Sequence, residues 1–233
     1  MAKATGLTEA EIEALRAIDS GTVANAVDSF GERERIAGFA SLELRCLNPD
    51  LPPVVGYAVT CTEDVTTSLR RPRESYEALL RAIEETPKPA IVVFKALGQD
   101  RLRSCHVGDM MCTLLQRMGV VAVVTDGAAR DLKAVRERAP DFQLFAAGMV
   151  PAGGDYTMFD VGGQVSICGL RIAPGDLLHG DVNGLLSIPA SVARRVPEKA
   201  RQIREFESTF VEFVNGPDFS VAELGRRFGP PWG

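Results

Sequence analysis

Apolar residues recur with helical spacing close to the start of the chain. In the segment LTEAEIEALRAID, Thr8 and Glu11 have the spacing of a capping box, and the apolar side chains that follow repeat with the period of a helix. A second short helix is predicted from Thr22, in TVANAVDSFG. We therefore expect N-terminal helices at about residues 8–30.

Four short apolar segments in the middle of the chain predict β-strands. They are rich in β-branched residues and apolar on both faces, and helical segments separate them. The strands are PPVVGYAVTC, KPAIVVFKA, GVVAVVT and FQLFAAG, and the helices are ESYEALLRAIEE, residues 108–118 and a segment from Asp131. This alternation indicates a parallel or mixed sheet covered by helices. The predicted fold class is α/β.

The pattern changes after Gly153. The segment GGQVSICGLRIAPGDLLHGDVNGLLSIP contains short strands separated by glycine-bearing turns, which predicts a β-rich layer on the same core. A long amphipathic C-terminal helix follows at about residues 189–214, and we expect its apolar stripe to pack on a neighbouring subunit. The stripe consists of Ile203, Phe206, Phe210 and Phe213. Since no linker interrupts the pattern, residues 1–233 are interpreted as a single domain.

Composition narrows the classes of function. The 233 residues are 45% hydrophobic and 24% charged, which is typical of a globular domain that buries a full core. The chain lacks a signal-peptide pattern and any membrane-length apolar run, so a cytoplasmic location is expected. Its formal net charge of -5, with acids and bases interleaved, gives no basic stripe for nucleic acid and no cationic helix for a membrane surface. Small molecules and other proteins remain as candidate ligands.

The five cysteines are scattered along the chain. They are odd in number and form no C-x-x-C pair, which argues against a disulfide framework and against a zinc site. We expect free thiols.

Two pairs of residues around the third predicted strand suggest a binding site. Gly108 and Asp109 open the helix before this strand, and Arg130 and Asp131 follow its carboxyl end. Ligands of open α/β sheets bind at that end of the strands. The free N–H groups of a helix start can bind an anionic oxygen, and an arginine can hold the same anion through two hydrogen bonds. The pattern favours a site for a small carboxylate.

Two acids beside a bound carboxylate require a positive charge between them. Asp109 and Asp131 would repel such an anion unless a cation lay nearby. Oxygen ligands without nearby Cys or His favour Mg²⁺ or Mn²⁺, and one or two carboxylates with several waters are typical of Mg²⁺. Asp131 is the candidate direct ligand.

Structural roles for the same residues stay open at this point. Asp131 can cap the helix that follows it, Asp109 can stabilise its own helix start, and Arg130 can pair with them at the surface. Lys95, at a strand end, fits a Schiff-base lysine or, more commonly, a lysine that extends to solvent. His106 is a candidate for substrate contact or an ordinary hydrogen-bonded histidine.

The central segment resembles a known family. Asp109, the twenty residues that separate it from Arg130 and Asp131, and the segment GVVAVVTDGAARD resemble the RraA-like family (regulator of ribonuclease activity A). The resemblance extends to TVANAVDSFG and to GLRIAPGDLLHGDVNGLLSIP. It implies a compact three-layer α/β/β fold of the swivelling-domain type with a mixed central sheet. It also implies a homotrimer or homohexamer with active sites between subunits.

The resemblance implies roles for the charged residues. Asp131 would bind Mg²⁺ or Mn²⁺ directly, Asp109 would hold water on the metal, and Arg130 would contact substrate. A glutamate of the neighbouring subunit's C-terminal helix would also reach the metal through water. Glu207 is the candidate for this acid, with Glu205 as the alternative.

The family includes 4-hydroxy-4-methyl-2-oxoglutarate aldolases and oxaloacetate decarboxylases, so the expected substrate is a 2-oxo acid. Its carboxylate would bind the backbone around Gly108, Met110 and Met111, with His106 as a further contact. Cleavage between C3 and C4 would give pyruvate, and a divalent cation would act as Lewis acid in either reaction. Aldolase members commonly carry Glu, Asp or Gly where this chain has Ala134, which leaves the choice between retro-aldol cleavage and decarboxylation open.

A different class of function stays in view. Relatives with this fold act as non-catalytic, protein-binding regulators of an RNA-degrading enzyme, and a fold does not decide function. The complete set of acids and the Arg-Asp pair favours the metal-dependent lyase.

Overall fold

A computed structural model describes residues 6–65, 73–98, 100–154 and 157–229, and for 73–75 it describes the backbone alone. In this part of the chain the α-helices are α1 Glu9–Arg16, α2 Ser20–Asp28, α3 Arg73–Glu85, α4 Asp109–Arg117, α5 Leu132–Arg138, α6 Val196–Asn215 and α7 Val221–Phe228. The strands are β1 Arg45–Cys46, β2 Val54–Asp64, β3 Ala90–Ala96, β4 Cys105–Val107, β5 Val120–Thr125, β6 Ala128–Ala129, β7 Gln143–Ala146, β8 Gly148–Met149, β9 Thr157–Val161, β10 Val165–Ile167, β11 Leu170–Ile172, β12 Leu177–Asp181 and β13 Gly184–Ile188.

The main sheet is mixed, as the pattern predicts. Its strand order is β1-β7-β5-β3-β2-β12-β13, and β9 also pairs with β2. The central strands β2, β3, β5 and β7 are parallel to one another. The remaining strands pair antiparallel, with β1 on β7, β12 and β9 on β2, and β13 on β12.

The main sheet is covered on both faces. Val92 and Phe94 of β3 pack into a core with α3, α4 and α5, whereas Ile91 and Val93 pack towards the β10–β11 hairpin. Successive side chains of a strand point to opposite faces, so an apolar run such as AIVVFKA fills both cores. The layers are helices, main sheet and hairpin, which confirms the predicted three-layer α/β/β fold.

A small parallel sheet lies beyond the carboxyl ends of the central strands. It consists of β4, β6 and β8 in that order. β6 follows β5 after two residues, and β8 follows β7 after one. The second sheet therefore continues these central strands past the edge of the main sheet. Ala128 and Ala129 are strand residues because they pair with both neighbouring strands of this sheet.

The terminal helices share a separate core with β12 and β13. Leu15 of α1, Val23 of α2 and Val196 of α6 are buried there against Leu186. The N-terminal helices lie where they are predicted, and the long C-terminal helix is confirmed with its first turn displaced to Val196.

The aromatic stripe of α6 has a partner that the pattern does not predict. The ring of Phe228, on α7, lies 5.8 Å from that of Phe206, 5.2 Å from that of Phe210 and 5.5 Å from that of Phe213. The chain thus covers much of the stripe itself. Phe206 keeps 59% of its surface exposed, so a subunit contact at this point stays a prediction.

Two further features match the sequence pattern. All five cysteines are free thiols. Within the described ranges, no helix combines the length and the apolar character needed to cross a membrane.

His179 on β12 links the sheet to the N-terminal helices. The ring is buried, and its Nε2–H donates to the carbonyl oxygen of Ile18 at 2.9 Å. Burial lowers the pKa of His179 below its ordinary value, although nearby Asp181 opposes this shift. The folded chain therefore holds this imidazole neutral under conditions in which the unfolded chain protonates it.

The free energy of unfolding should fall as the pH drops below about 6.5, the ordinary pKa of histidine. The unfolded chain gains a proton there that the folded chain does not, which adds a slope of up to about 1.4 kcal/mol per pH unit. Urea unfolding of the wild type and of His179→Gln between pH 7.5 and 5.5 measures this slope. Equal slopes in the two proteins would contradict the assignment to His179.

Candidate active site

The two halves of the charged motif follow the ends of neighbouring parallel strands. Val107 of β4 is paired with Ala129 of β6, and the N–H of Arg130 donates to the carbonyl oxygen of Val107 at 3.0 Å. Parallel strands end at the same edge of a sheet. Gly108 and Asp131 are therefore brought together although 22 residues separate them in the chain.

Gly108 allows this close approach because it has no side chain. A Cβ atom at this position would lie 2.9 Å from Oδ2 of Asp131 and 3.2 Å from Nε of Arg130. Any other residue would displace both groups.

Asp131 has a backbone conformation that is unusual for a residue other than glycine. Its φ of 61° and ψ of 29° lie in the left-handed region, which costs most L-residues about 1–2 kcal/mol and aspartate somewhat less. The residue precedes α5, yet its carboxylate accepts no capping hydrogen bond from that helix. The capping role is therefore absent. The side chain is 39% exposed and directs its carboxylate towards Gly108.

Arg130 lies beside this carboxylate without hydrogen-bonding to it. Its Nε is 3.1 Å from Oδ2 of Asp131, but the N–H is not directed at the oxygen. The terminal nitrogens of the guanidinium make no hydrogen bond within the described part of the chain, and the side chain is 41% exposed. Arg130 can therefore present two N–H donors to a ligand.

The start of α4 adds unpaired backbone donors. Gly108 is the residue before the helix and offers no capping side chain, and the first helical hydrogen bond runs from Cys112 to the carbonyl of Gly108 at 3.0 Å. The N–H groups of Asp109, Met110 and Met111 therefore have no acceptor within the helix. Anions bind readily to such groups.

Arg130 and the start of α4 line a cavity of about 440 Å³, whereas Asp131 lies beside Gly108 and is not part of its wall. The cavity is lined by Tyr76, His106, Gly108, Asp109, Met110, Met111, Leu114 and Arg130. The wall thus includes every residue predicted to bind substrate, together with Tyr76 and Leu114, which the sequence did not single out.

Asp109 is held by a partner that the sequence does not reveal. Its Oδ2 forms an ion pair with Arg138, at the end of α5, and only 14% of the carboxylate side chain is exposed. The two residues lie 29 positions apart on different helices, so no helical spacing signals the contact.

His106 also has an unpredicted partner. Its Nδ1 lies 3.0 Å from Oε2 of Glu63, near the end of β2, and both side chains are buried. An acid at the end of an apolar strand is usually exposed, so the sequence gives no signal for this pair.

Other sequence candidates lie outside this group. Lys95 forms an ion pair with Asp126, whose second oxygen accepts the N–H of Ala96 at 2.9 Å. Glu207 is exposed on α6, which packs against α1 and α2 rather than beside α4 and α5. The structure of one chain does not bring Glu207 to the site, and its role across a subunit boundary stays a prediction. Glu205 forms an ion pair with Arg201.

The site offers carboxylate oxygen and little else to a metal. The thiol of Cys112 stays protonated, because burial and the carboxylates of Asp109 and Asp131 raise its pKa to about 12. Across the described ranges, no three His, Cys, Asp or Glu side chains cluster in a way that could hold an ion. The donors therefore suit a cation that keeps several waters, and they do not suit structural zinc.

Residues 21–186 match the sequence profile of the RraA-like (Aldolase/RraA) family. The chain belongs to this family. The matched region includes Gly108, Asp109, Arg130 and Asp131, and it ends before α6 and Glu207. One curated relative, from Halalkalibacterium halodurans, is provisionally named a 4-hydroxy-4-methyl-2-oxoglutarate aldolase and is 32% identical over 126 residues. This alignment covers 54% of the present chain and 58% of the relative, so the chain spans less than two thirds of that protein.

Solved structures share the fold. A chain described among novel cellulases from microbes of the gut ecosystem superposes with a TM-score of 0.74 at 20% identity, over 90% of each chain. RraAS2 of Streptomyces coelicolor, described as an unusual member of the RNase ES inhibitor RraA protein family, has a TM-score of 0.67 at 24% identity. That alignment covers 87% of this chain and 96% of RraAS2. Both structures share the fold of this chain, and RraAS2 belongs to the RraA family by its description.

Asp131→Gly should raise the free energy of unfolding, because it removes the left-handed strain and a carboxylate without a capping bond. We expect a gain of about 0.5–1 kcal/mol in urea unfolding. Asp19→Gly is the matched control, since Asp19 does cap its helix by accepting the N–H of Thr22 at 2.8 Å. The control should lose stability. A loss in Asp131→Gly as large as in the control would show that Asp131 has a structural capping role.

Proposed function

We propose that this protein is a divalent-metal-dependent lyase that cleaves the C3–C4 bond of a 2-oxo acid to give pyruvate. The observation that carries the proposal is the strained, uncapped carboxylate of Asp131, held next to Arg130 and the open start of α4. A protein that uses these residues only for stability has no need of this conformation. The family membership and the provisional name of the curated relative support the same reaction class.

The metal would be Mg²⁺ or Mn²⁺. Asp131 would hold it directly, and Asp109 and Glu207 of a neighbouring subunit would hold it through water. When bound, such an ion supplies a Lewis acid that stabilises negative charge on the oxygen of the 2-oxo group. The carboxylate of Asp131 fits this task because, in the described part of the chain, it accepts no hydrogen bond that a metal ion would have to replace.

The chain's own groups would fix the substrate. The N–H groups at the start of α4 and the guanidinium of Arg130 converge on one cavity, so they would bind the carboxylate of the 2-oxo acid from two sides. Met111 and Tyr76 would form apolar walls beside the carbon chain. Held in this way, the scissile bond would keep one orientation relative to the acids, which lowers the entropic part of the barrier.

Arg138 would control whether the carboxylate of Asp109 is free to hold water on the metal. The ion pair occupies Asp109 in the single chain, so binding water on a metal requires the carboxylate to be shared with Arg138 or released from it. A hydrated metal ion and a bound substrate would compete with the guanidinium of Arg138 for the carboxylate oxygens of Asp109.

Retro-aldol cleavage and decarboxylation both leave a pyruvate enolate, so both require the site to stabilise that negative charge. The name of the curated relative favours 4-hydroxy-4-methyl-2-oxoglutarate as a substrate. Ala134 stands where aldolase members commonly have Glu, Asp or Gly, which favours decarboxylation of oxaloacetate instead.

Pyruvate release from both 2-oxo acids tests the proposal. We expect release with Mg²⁺ or Mn²⁺, loss of release with EDTA, and a fall of at least about 100-fold in Asp131→Ala. Asp50→Ala, which alters an exposed acid away from the cavity, should keep full activity. Activity that resists EDTA would point to Lys95 and a Schiff base. An absence of metal-dependent pyruvate from either acid would favour a protein-binding regulator, the role described for the Streptomyces coelicolor relative's family.

Gly108→Ala should lower pyruvate release by at least about 10-fold while the chain stays folded, because the new methyl group displaces Asp131 and Arg130. Gly148→Ala is the matched control. A Cβ there meets no atom within 4 Å, although the residue also lies in the small parallel sheet. Steady-state kinetics and circular dichroism of both variants measure the effect. Full activity in Gly108→Ala would exclude the close approach of Gly108 and Asp131 as a requirement.

A further inference from the structure

A buried carboxylate contacts a buried imidazole that lines the cavity. Oε2 of Glu63 lies 3.0 Å from Nδ1 of His106, and the two side chains are 1% and 0% exposed. Because a carboxylate removed from water needs a hydrogen-bond donor, this contact fixes one proton of the ring on Nδ1. Glu63 thereby determines which nitrogen of His106 is left for other chemistry.

The other ring nitrogen has no partner among the residues that the structure describes. There, Nε2 of His106 is buried and makes no hydrogen bond. The ring fits only because residue 127 is glycine, since a Cβ there would lie 2.7 Å from Nε2 and 2.4 Å from Cδ2. Buried polar atoms in folded proteins are nearly always paired, so an unpaired one held in place by a carboxylate and a glycine calls for a ligand or a reaction.

His106 is also the suitable proton carrier of the cavity. Among the ionisable residues that line it, Arg130 cannot release a proton and Asp109 is paired with Arg138. The hydroxyl of Tyr76 lies against the sulfur of Met111. His106 alone among these residues has an unpaired nitrogen that both accepts and donates a proton.

We infer that His106 transfers the proton at C3 of pyruvate and that Glu63 is its positioning residue, an inference that rests on the proposed function. When the C3–C4 bond breaks, its electrons remain on the pyruvate fragment as an enolate. In this step His106 is the imidazolium, protonated on both nitrogens. Nε2–H gives its proton to C3, which becomes the methyl group of pyruvate, and the neutral ring keeps the proton on Nδ1. A proton from the solvent then restores the imidazolium. The step consumes no oxidant, reductant or further reactant.

Exchange of the methyl protons of pyruvate in D₂O isolates this step from bond cleavage. With Mg²⁺ or Mn²⁺ present, proton NMR should show exchange by the wild type and a fall of at least about 100-fold in His106→Asn and His106→Gln. Glu63→Gln should slow exchange less. The double variant Glu63→Gln/His106→Asn should be no slower than His106→Asn, because Glu63 acts through the ring.

His179→Gln is the matched control, since it alters the chain's other histidine outside the site, and it should exchange at the wild-type rate. A second measurement needs neither metal nor turnover. With two histidines in the chain, ¹⁵N NMR of the metal-free wild type should show His106 protonated on Nδ1, and Glu63→Gln should change that signal. A wild-type ring protonated on Nε2 alone would overturn the inference even if the His106 variants fail to fold.

The outcomes separate this inference from the proposed function. Wild-type exchange and pyruvate release, with exchange unchanged in both folded His106 variants, would overturn the role of His106 and leave the lyase intact. No exchange and no pyruvate release by the wild type would overturn both. Equal loss of exchange and of substrate affinity, measured as KM, in the His106 variants would assign the residue to binding instead.

Discussion

The pairing of two very short parallel strands governs the site. The pairing of β4 with β6 shifts register between Cys105 and Val107, which places Val107 opposite Ala129. The hydrogen bond from the N–H of Arg130 to the carbonyl of Val107 then extends the pairing by one residue. Beyond this point each strand turns into a helix, so the start of α4 and the turn before α5 must lie against each other. A larger residue at position 108 would have to displace the carboxylate of Asp131 and crowd Nε of Arg130. The geometry of the acids, the arginine and the open helix start follows from this contact.

The charges around that contact are arranged in two different ways. Asp109 is satisfied within the chain by Arg138, whereas Asp131 and Arg130 lie close together without forming a hydrogen bond. Such a pair at a strained turn is unfavourable for stability and favourable for binding, because neither side chain must break a hydrogen bond to another described residue when it accepts a ligand. The two aspartates therefore differ in how readily they bind a ligand. Asp131 can bind one directly, whereas Asp109 must first leave its ion pair with Arg138 at the end of α5.

The buried Glu63–His106 pair also indicates a functional site. Groups that ionise are rarely placed in an apolar core without a reason, and here one member of the pair, His106, lines the cavity. The fold itself is shared with relatives described as RNase inhibitors, so the fold cannot distinguish catalysis from protein binding. The distinction depends on side chains such as these, which a binding surface would not require.

The layers and half of the site can be predicted from the order of residues. Apolar runs such as AIVVFKA and apolar residues at helical intervals predict the α/β class. A strand that is buried on both faces is apolar at nearly every position, which is visible in the sequence. The motif of Gly108, Asp109, Arg130 and Asp131 is also visible, since its members adjoin predicted elements. Tertiary structure alone decided the partners of Asp109 and His106, the left-handed turn at Asp131 and the cover that Phe228 gives to α6. These features depend on contacts between distant segments, and a one-dimensional pattern records the period of an element but not which element lies opposite.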